Sequence, residues 1–250
     1  MKLMQISATS AMVLTLLVGG ATTTIAAGNT GGSATSKGAV SFKANTNPTD
    51  PVDPTDPTDP IDPIDPVDPG TPGPLSLDYA PNLNFDMNEI STKDEVYHAT
   101  LVEVKDGENT REVPNFVQVT DKRGTNAGWT LEVKQNGQFK NNDTLNKELI
   151  GSQISLTKTK ANSISVATAP TVNTTIELDP TGASSKVMSA AKDAGAGTWV
   201  ASFGKDNTEA KDAITLAVPG KTVKDAVAYE TTLTWTLTDT PENGTETLKP

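Results

Sequence analysis

Two stretches of this 250-residue chain share the tripeptide Trp-Thr-Leu: VTDKRGTNAGWTL at residues 119–131 and YETTLTWTLTDTP at residues 229–241. The chain has only three tryptophans, and two of them lie in this tripeptide. Side chains alternate between two faces along a β-strand, so the tryptophan and leucine of each copy are predicted to share one face, with the threonine on the other. The six residues are Trp129, Thr130 and Leu131 in the first copy and Trp235, Thr236 and Leu237 in the second.

Two interpretations of these strands stay open on the sequence alone. In the second copy Leu233, Trp235 and Leu237 form one face, opposite a row of threonines. Half-buried strands turn large apolar side chains inward, which favours burial of the tryptophans and leaves the threonine rows as a binding surface. The alternative exposes the tryptophans, whose rings would then stack on sugars or fill a pocket of a partner protein.

The surroundings of both copies resemble the two halves of the WxL domain, a surface-protein module of low-GC Gram-positive bacteria. The second copy has the lead-in Tyr-x-x-x-Leu-Thr-Trp from Tyr229 to Trp235, and GAGTW at Gly195–Trp199, between the two copies, is also similar to the family. The resemblance extends from about Gly38 to the end of the sequence.

This resemblance implies a non-catalytic protein that attaches non-covalently to the Gram-positive cell wall, with peptidoglycan as its ligand. As an alternative, it implies a component of a surface complex with a membrane-anchored WxL-interacting protein and other wall proteins, and adhesion to a host as a downstream outcome. The residues carried over as binding residues, by direct contact or by shaping the surface, are Trp129, Thr130, Leu131, Tyr229, Leu233, Trp235, Thr236 and Leu237.

The beginning of the sequence predicts export. Residues 1–27 have the form of a secretory signal peptide, with Lys2 before the apolar run AMVLTLLV and small residues before the predicted cleavage site. The run is far shorter than the ~20 residues of a membrane-spanning helix. The mature protein is therefore predicted to be secreted, with no membrane span. The last residues carry no Leu-Pro-x-Thr-Gly sorting signal, so attachment to the wall is predicted to be non-covalent.

Composition limits the partners. The chain has a formal net charge of −11 and no cysteine, which excludes cysteine nucleophiles and zinc-thiolate sites. It has no basic cluster that could neutralise several phosphates, so nucleic acid is not predicted as a partner. The same charge disfavours electrostatic capture by anionic teichoic acids or lipids. A neutral sugar surface or another protein fits this chain better.

An acidic proline tract divides the sequence. Residues 48–74 begin with seven consecutive Pro-x-Asp triplets, from Pro48 to Asp68. A polyproline II helix would align the aspartates along one edge. Because the tract has no Gly-containing calcium loop, a solvated acidic spacer is favoured over a calcium-binding ladder. Before the tract lies an N-terminal segment, residues 28–47, in which Ala39–Lys43 alternates like a short strand. That strand would make the tract a surface loop of the main domain; otherwise residues 28–74 form a disordered tail.

Residues 75–250 are predicted to form the WxL-type β domain. Short alternating runs separated by Gly, Asn and Asp are typical of an all-β fold, here a single antiparallel β-sandwich or barrel-like domain with many short strands and little helix. Asn136-Gly137 is a hairpin signal, and Ser184–Asp193 is the one stretch that favours a short helix. The predicted strand runs include Leu83/Phe85/Met87 and Ile164/Val166.

Catalysis is not predicted. His98 is the only histidine, it lies in a strand-like run, and no nucleophile-elbow motif accompanies it. No cluster of metal-ligating residues and no phosphate-binding glycine loop is visible, so neither a metal nor a cofactor is predicted. A pair of carboxylates could in principle hydrolyse a glycoside, but nothing in the sequence singles out such a pair.

Overall fold

The computed structural model describes residues 32–65, 67–68 and 70–239. The predicted signal peptide and the last eleven residues lie outside this part. Fourteen strands and one four-residue helix are described: β1 (Leu75–Tyr79), β2 (Glu95–His98), β3 (Val102–Asp106), β4 (Asn109–Val113), β5 (Phe116–Asp121), β6 (Trp129–Gln135), β7 (Gln153–Thr157), β8 (Thr159–Asn162), β9 (Thr171–Val172), β10 (Thr175–Glu177), β11 (Ser184–Ala190), β12 (Gly197–Phe203), α1 (Asn207–Ala210), β13 (Ile214–Val218) and β14 (Leu233–Thr238).

These strands form three four-stranded antiparallel sheets and one hairpin. The first sheet has the order β1-β5-β12-β8, the second has the order β10-β7-β13-β2, and the third, here called the motif sheet, has the order β14-β6-β11-β9. Strands β3 and β4 form the hairpin. The prediction of an all-β antiparallel fold with many short strands and little helix is confirmed.

The main core lies where the three sheets meet. It joins side chains such as Val119 of the first sheet, Leu156 of the second and Leu131 of the motif sheet, and all three are fully buried. A second, smaller core lies under the β3–β4 hairpin, where Tyr79 stacks on Phe116 with ring centroids 4.3 Å apart. Strand β5 contributes to both cores, and each of its six residues is buried.

The chain divides into two units, residues 1–41 and 42–250. In the first unit the described residues, 32–41, form no strand. The predicted strand Ala39–Lys43, which spans the boundary, is wrong: Val40 is 79% exposed and Phe42 is 92% exposed. Five alternating residues that bury no apolar surface lack the packing that stabilises a strand.

The Pro-x-Asp tract belongs to the second unit and folds back on it. The buried side chain of Gln118 accepts a hydrogen bond from the Val52 N–H at 2.8 Å and donates to the Asp50 carbonyl at 3.0 Å. The side chain of Ile61 is buried in the second core. Backbone hydrogen bonds also join the tract to β3, from the Lys105 N–H to the Asp62 carbonyl and from the Ile64 N–H to the Glu103 carbonyl. The described part of the tract is therefore a packed surface loop, and the solvated polyproline spacer is wrong for it.

Charge holds the tract in place as well. Asp53 is only 4% exposed, and its carboxylate lies 2.5 Å from the Arg111 guanidinium, which also pairs with Asp59 at 2.9 Å. Burial raises the pKa of Asp53, but hydrogen bonds from Thr55, from Arg111 and from a backbone N–H outweigh that effect and leave the pKa below its usual value. The aspartates of the tract thus have different environments, instead of one solvated edge.

Four local predictions differ from the structure. Ser184–Asp193 begins with β11 instead of a helix, because residues 184–190 pair with β6. Asn136-Gly137 does not close a hairpin with the next strand, since β6 pairs with β11 and β14 while β7 lies in another sheet. The runs Leu83/Phe85/Met87 and Ile164/Val166 are irregular; Phe85 packs in the core, whereas Met87, Ile164 and Val166 are exposed.

Candidate functional site

The two copies of Trp-Thr-Leu lie side by side in the motif sheet. Strands β6 and β14 pair as antiparallel neighbours, with Leu131 opposite Leu237 and Thr130 opposite Thr238. The second tryptophan, Trp235, lies opposite Val133. Segments about a hundred residues apart in sequence thus become one continuous two-stranded surface. The sheet continues beyond β6 into β11, so that among the described strands β6 has a neighbour on both sides whereas β14 has one.

The first copy is entirely internal. Trp129 and Leu131 are 0% exposed, and Thr130 is buried with its hydroxyl 3.1 Å from that of Ser189. The indole N–H of Trp129 donates to the Gly195 carbonyl at 3.1 Å, so the one polar group of this side chain is satisfied within the core. The burial interpretation therefore holds for the first copy.

The Gly195–Trp199 segment contacts the first tryptophan, Trp129. Gly195 has φ +73°, and a Cβ there would lie 2.7 Å from Trp129 Nε1 and 2.3 Å from the Ala190 Cβ. The third tryptophan, Trp199, is also buried and donates from its indole N–H to the Ala196 carbonyl at 3.1 Å. Two tryptophans thus use consecutive carbonyls of one segment, which gives a physical reason for glycine at position 195.

The residues before the first copy are also ordered by burial. Asp121, at the end of β5, is 5% exposed, and the Arg123 guanidinium contacts it at 3.0 and 2.8 Å. Arg123 also donates to the Gly128 carbonyl at 2.8 Å, and Lys122 donates to the Asn47 carbonyl at 2.6 Å. Asp-Lys-Arg-Gly is a composition typical of a solvated turn, but here Asp121 is buried and Arg123 is partly buried. The carboxylate–guanidinium pair closes the loop that leads into Trp129.

The second copy lies at the edge of the sheet. Leu233, Trp235 and Leu237 are half-buried and pack against the main core with one face of β14. Thr234, Thr236 and Thr238 of the opposite face are exposed. The second tryptophan is therefore neither a core residue like Trp129 nor a free surface ring.

Tyr229 anchors the segment that leads into β14. Its hydroxyl donates to the Asn146 carbonyl at 2.7 Å and accepts from the Asp225 N–H at 2.9 Å. The Asp225 carboxylate in turn accepts hydrogen bonds from the Thr144 hydroxyl and from the backbone and side chain of Asn146. These hydrogen bonds, that of Thr144 first, lower the pKa of Asp225 to about 2. Tyr229 thus positions β14 through a loop between β6 and β7.

The outer face of the motif sheet is polar and carries both signs of charge. The exposed threonines of β14 lie beside Glu132 and Lys134 of β6, with Thr236 opposite Glu132 and Thr234 opposite Lys134. Asn136 links the row by donating from its side-chain amide to the hydroxyls of Thr232 and Thr234, each at 2.9 Å. Of the predicted site residues, Thr236 is the one that is freely exposed.

The one histidine of the chain lies beside a single carboxylate. His98 lies on β2 with its Nδ1 3.5 Å from the Asp212 carboxylate, and both side chains are about half or more exposed. No group of three or more His, Cys, Asp or Glu side chains placed to hold a metal ion occurs in the part of the chain that the structure describes. Within the same part, no helix is long and apolar enough to cross a membrane.

Comparison with known proteins identifies one family. A family model described as a surface cell-wall-binding WxL domain matches residues 29–241. The matched region contains both copies of Trp-Thr-Leu and the Gly195–Trp199 segment between them. No curated protein and no solved structure matches the chain.

Proposed function

This chain belongs to the WxL domain family, and we propose that it is an exported, non-catalytic protein that attaches non-covalently to peptidoglycan at the surface of a Gram-positive cell. The family is one of surface cell-wall-binding domains, which supports a place at the cell surface. The observation that carries the finer proposal is the contrast between the copies of Trp-Thr-Leu. The first copy is buried in the core, whereas the second lies on a strand with a row of exposed threonine hydroxyls.

Burial assigns the two copies different tasks. Trp129 and Leu131 have no exposed surface, so they cannot touch a wall polymer unless the core opens. Their contribution is to hold β6 in place, and β6 holds β14 through the register that sets Leu237 opposite Leu131. The ligand is therefore proposed to contact the outer face of the motif sheet, where Thr234 and Thr236 lie beside Glu132 and Lys134.

The chemistry of this face suits a hydroxyl-rich and amide-rich polymer. Each threonine hydroxyl both donates and accepts hydrogen bonds, which matches sugar hydroxyls and the amides of stem peptides. Glu132 adds an acceptor and Lys134 adds a donor. The net charge of −11 opposes anionic polymers, so peptidoglycan is favoured over teichoic acid as the ligand.

Co-sedimentation with purified sacculi tests this proposal. The chain from residue 28 to 250 is expected to pellet saturably with protein-free peptidoglycan, and removal of teichoic acid is expected to leave binding unchanged or stronger. Protein that stays in the supernatant at all sacculus concentrations would contradict direct binding. Retention on whole cells only when a membrane-anchored wall protein is present would then support the surface-complex alternative.

A matched pair of variants locates the contact. Thr234→Val/Thr236→Val removes two hydroxyls at nearly constant shape and is expected to weaken pelleting by roughly tenfold, since each lost hydrogen bond contributes about 0.5–1.5 kcal/mol. The control is Thr110→Val/Thr175→Val, which changes two exposed strand threonines outside the motif sheet. Equal binding by both variants would move the contact away from β14.

A further inference from the structure

The outer edge of β14 carries a row of backbone groups that no described strand uses. The Asn136 N–H donates to the Thr232 carbonyl at 2.9 Å, so this position belongs to the hydrogen-bonded set that faces β6. In an antiparallel pair hydrogen-bonded and non-hydrogen-bonded positions alternate. With the register of β14 on β6, backbone groups of the threonines therefore point inward. Those that point out to the open edge belong to Leu233, Trp235 and Leu237.

This edge lacks the features that protect the other edges. Charged side chains, proline, bulges and short length normally prevent an edge strand from pairing with another chain. Strand β14 has six residues, none of them charged or proline, and pairs with β6 without a bulge. By contrast, β1 is bulged, β2 and β8 carry Glu95 and Lys160, and β9 and β10 have two and three residues. The outer edge of β3 is paired with the Pro-x-Asp tract.

The sequence of this strand, together with the residue before it, is a palindrome. Residues 232–238 read TLTWTLT in either direction, with Trp235 at the centre. Two copies related by a two-fold axis through Trp235 would place each residue opposite one of its own kind, leucine against leucine and threonine against threonine. Three outward-facing positions lie symmetrically about the axis, and each hydrogen-bonded pair exchanges two bonds, which gives about six backbone hydrogen bonds. Cross-strand threonine pairs are among the favourable combinations.

We propose that two copies of this chain associate edge to edge through β14, as an antiparallel pair with Trp235 on the two-fold axis. The motif sheet then runs continuously through the dimer, and the half-buried faces of Leu233, Trp235 and Leu237 gain cover from their symmetry mates. The threonine rows of both copies lie on one side, which doubles the polar face and adds avidity for a repeating polymer.

The strength of this dimer follows from its size and charge. One strand pair buries less than the roughly 1,200 Å² typical of stable interfaces, so dissociation constants between about 1 μM and 1 mM are expected. The net charge of −11 on each copy opposes association, and salt screens that repulsion. Association is therefore expected to strengthen as the ionic strength is raised from low values.

Sedimentation equilibrium on residues 28–250 measures the association directly. A reversible monomer–dimer equilibrium that tightens between about 20 and 150 mM salt supports the proposal. A monomer at all concentrations up to about 1 mM contradicts it, because that is the weakest association expected of such an edge.

Amide hydrogen exchange by NMR identifies the edge. The N–H groups of Leu233, Trp235 and Leu237 are expected to exchange fast in dilute protein and to become protected as concentration rises, whereas those of Thr234 and Thr236 are protected throughout. Protection of the outward groups at every concentration would mean that another segment of the same chain occupies the edge. A dimer that leaves them unprotected would lie elsewhere. Either result overturns the assignment.

Charge variants at exposed positions provide a matched control. In the two-fold pair, position 234 of one copy lies opposite position 236 of the other. Thr234→Lys/Thr236→Lys sets like charges opposite each other twice and is expected to weaken the dimer roughly tenfold, although it lowers the overall negative charge. Thr234→Glu/Thr236→Lys sets opposite charges across the axis and also faces Lys134 and Glu132 favourably within the chain. It is expected to dimerise at least as well as the unmodified chain, and equal weakening by both variants would contradict the geometry.

Discussion

The two copies of Trp-Thr-Leu have the same sequence and lie on neighbouring strands, yet their surroundings differ. The first lies on β6, which has a strand on each side, and its tryptophan is fully buried with a satisfied indole N–H. The second lies on the edge strand β14, where the tryptophan is half-buried and the threonine is exposed. The position of a strand within its sheet, more than the motif it carries, therefore decides whether the motif serves the core or the surface.

The largest expected difference between the copies is in stability. Trp129→Ala is expected to lower the free energy of unfolding by about 3–5 kcal/mol, because it removes a large, fully packed side chain and leaves a cavity. Trp235→Ala, on a half-buried strand, is expected to cost about 1–3 kcal/mol, since part of the ring surface already contacts water. Chemical denaturation measures both values. Equal losses would remove the distinction between a core copy and an edge copy.

The second largest expected effect is on the contact between Gly195 and Trp129. Gly195→Ala forces a Cβ against Trp129 and Ala190 at a position with positive φ. It is expected to lower the free energy of unfolding by about 1–3 kcal/mol, because it causes overpacking and backbone strain. Gly107→Ala is the control, because Gly107 also has a positive φ, +62°, but has open space around its Cβ position. The difference between the two melting temperatures isolates the contacts with Trp129 and Ala190 from the effect of the positive φ. Indistinguishable losses would show that these two contacts contribute nothing.

The lead-in of the second copy depends on a single hydroxyl. Tyr229→Phe removes the hydrogen bonds to Asn146 and Asp225 and is expected to cost about 1 kcal/mol. Tyr229 positions β14 and makes no hydrogen bond to the Gly195–Trp199 segment. The rate of amide hydrogen exchange is therefore expected to rise in β14 and to stay unchanged around Gly195. Faster exchange around Gly195 would show that the two copies are not supported separately.

The smallest expected effect is on the stability of the fold at low pH. Hydrogen bonds lower the folded-state pKa of Asp225 from its usual value of 3.8 to about 2, so its stabilising contribution is present above pH 3.8 and is lost as pH falls through 2. Asp225→Asn is expected to flatten this part of the stability profile and to leave the profile above pH 5 parallel to that of the unmodified chain. Acid titration of the melting temperature measures it, and an unchanged slope between pH 4 and 2 in the variant would contradict the role of the carboxylate.

The sequence predicted the features that depend on local pattern. Alternation of apolar and polar residues identified β14 and the apolar positions of β6, and the family resemblance was confirmed over residues 29–241. It did not predict which copy would be buried, because that depends on the β6–β11 and β6–β14 pairings between segments about 60 and 100 residues apart.

The wrong predictions have the same cause, namely contacts between segments that lie far apart in the sequence. The Pro-x-Asp tract is locally an ideal polyproline spacer, but Gln118 and Arg111 bind it from positions far along the chain. Asp121 and Arg123 have the composition of a solvated turn, but the strand that ends at Asp121 lies in the centre of the fold and buries the pair. Residues 184–190 form a strand because they pair with β6. This tertiary pairing outweighs a weak helical preference.

A binding isotherm of folded variants on purified sacculi tests the division of tasks between the two copies most directly. Trp129→Phe keeps an apolar ring in the core and is expected to melt at a lower temperature but to bind sacculi like the unmodified chain. Thr234→Val/Thr236→Val gives up the exposed hydrogen bond from Asn136 to Thr234, so it is expected to melt close to the unmodified chain but to bind roughly tenfold more weakly. The opposite pattern, lost binding by a folded Trp129→Phe variant and full binding by the threonine variant, would contradict the account.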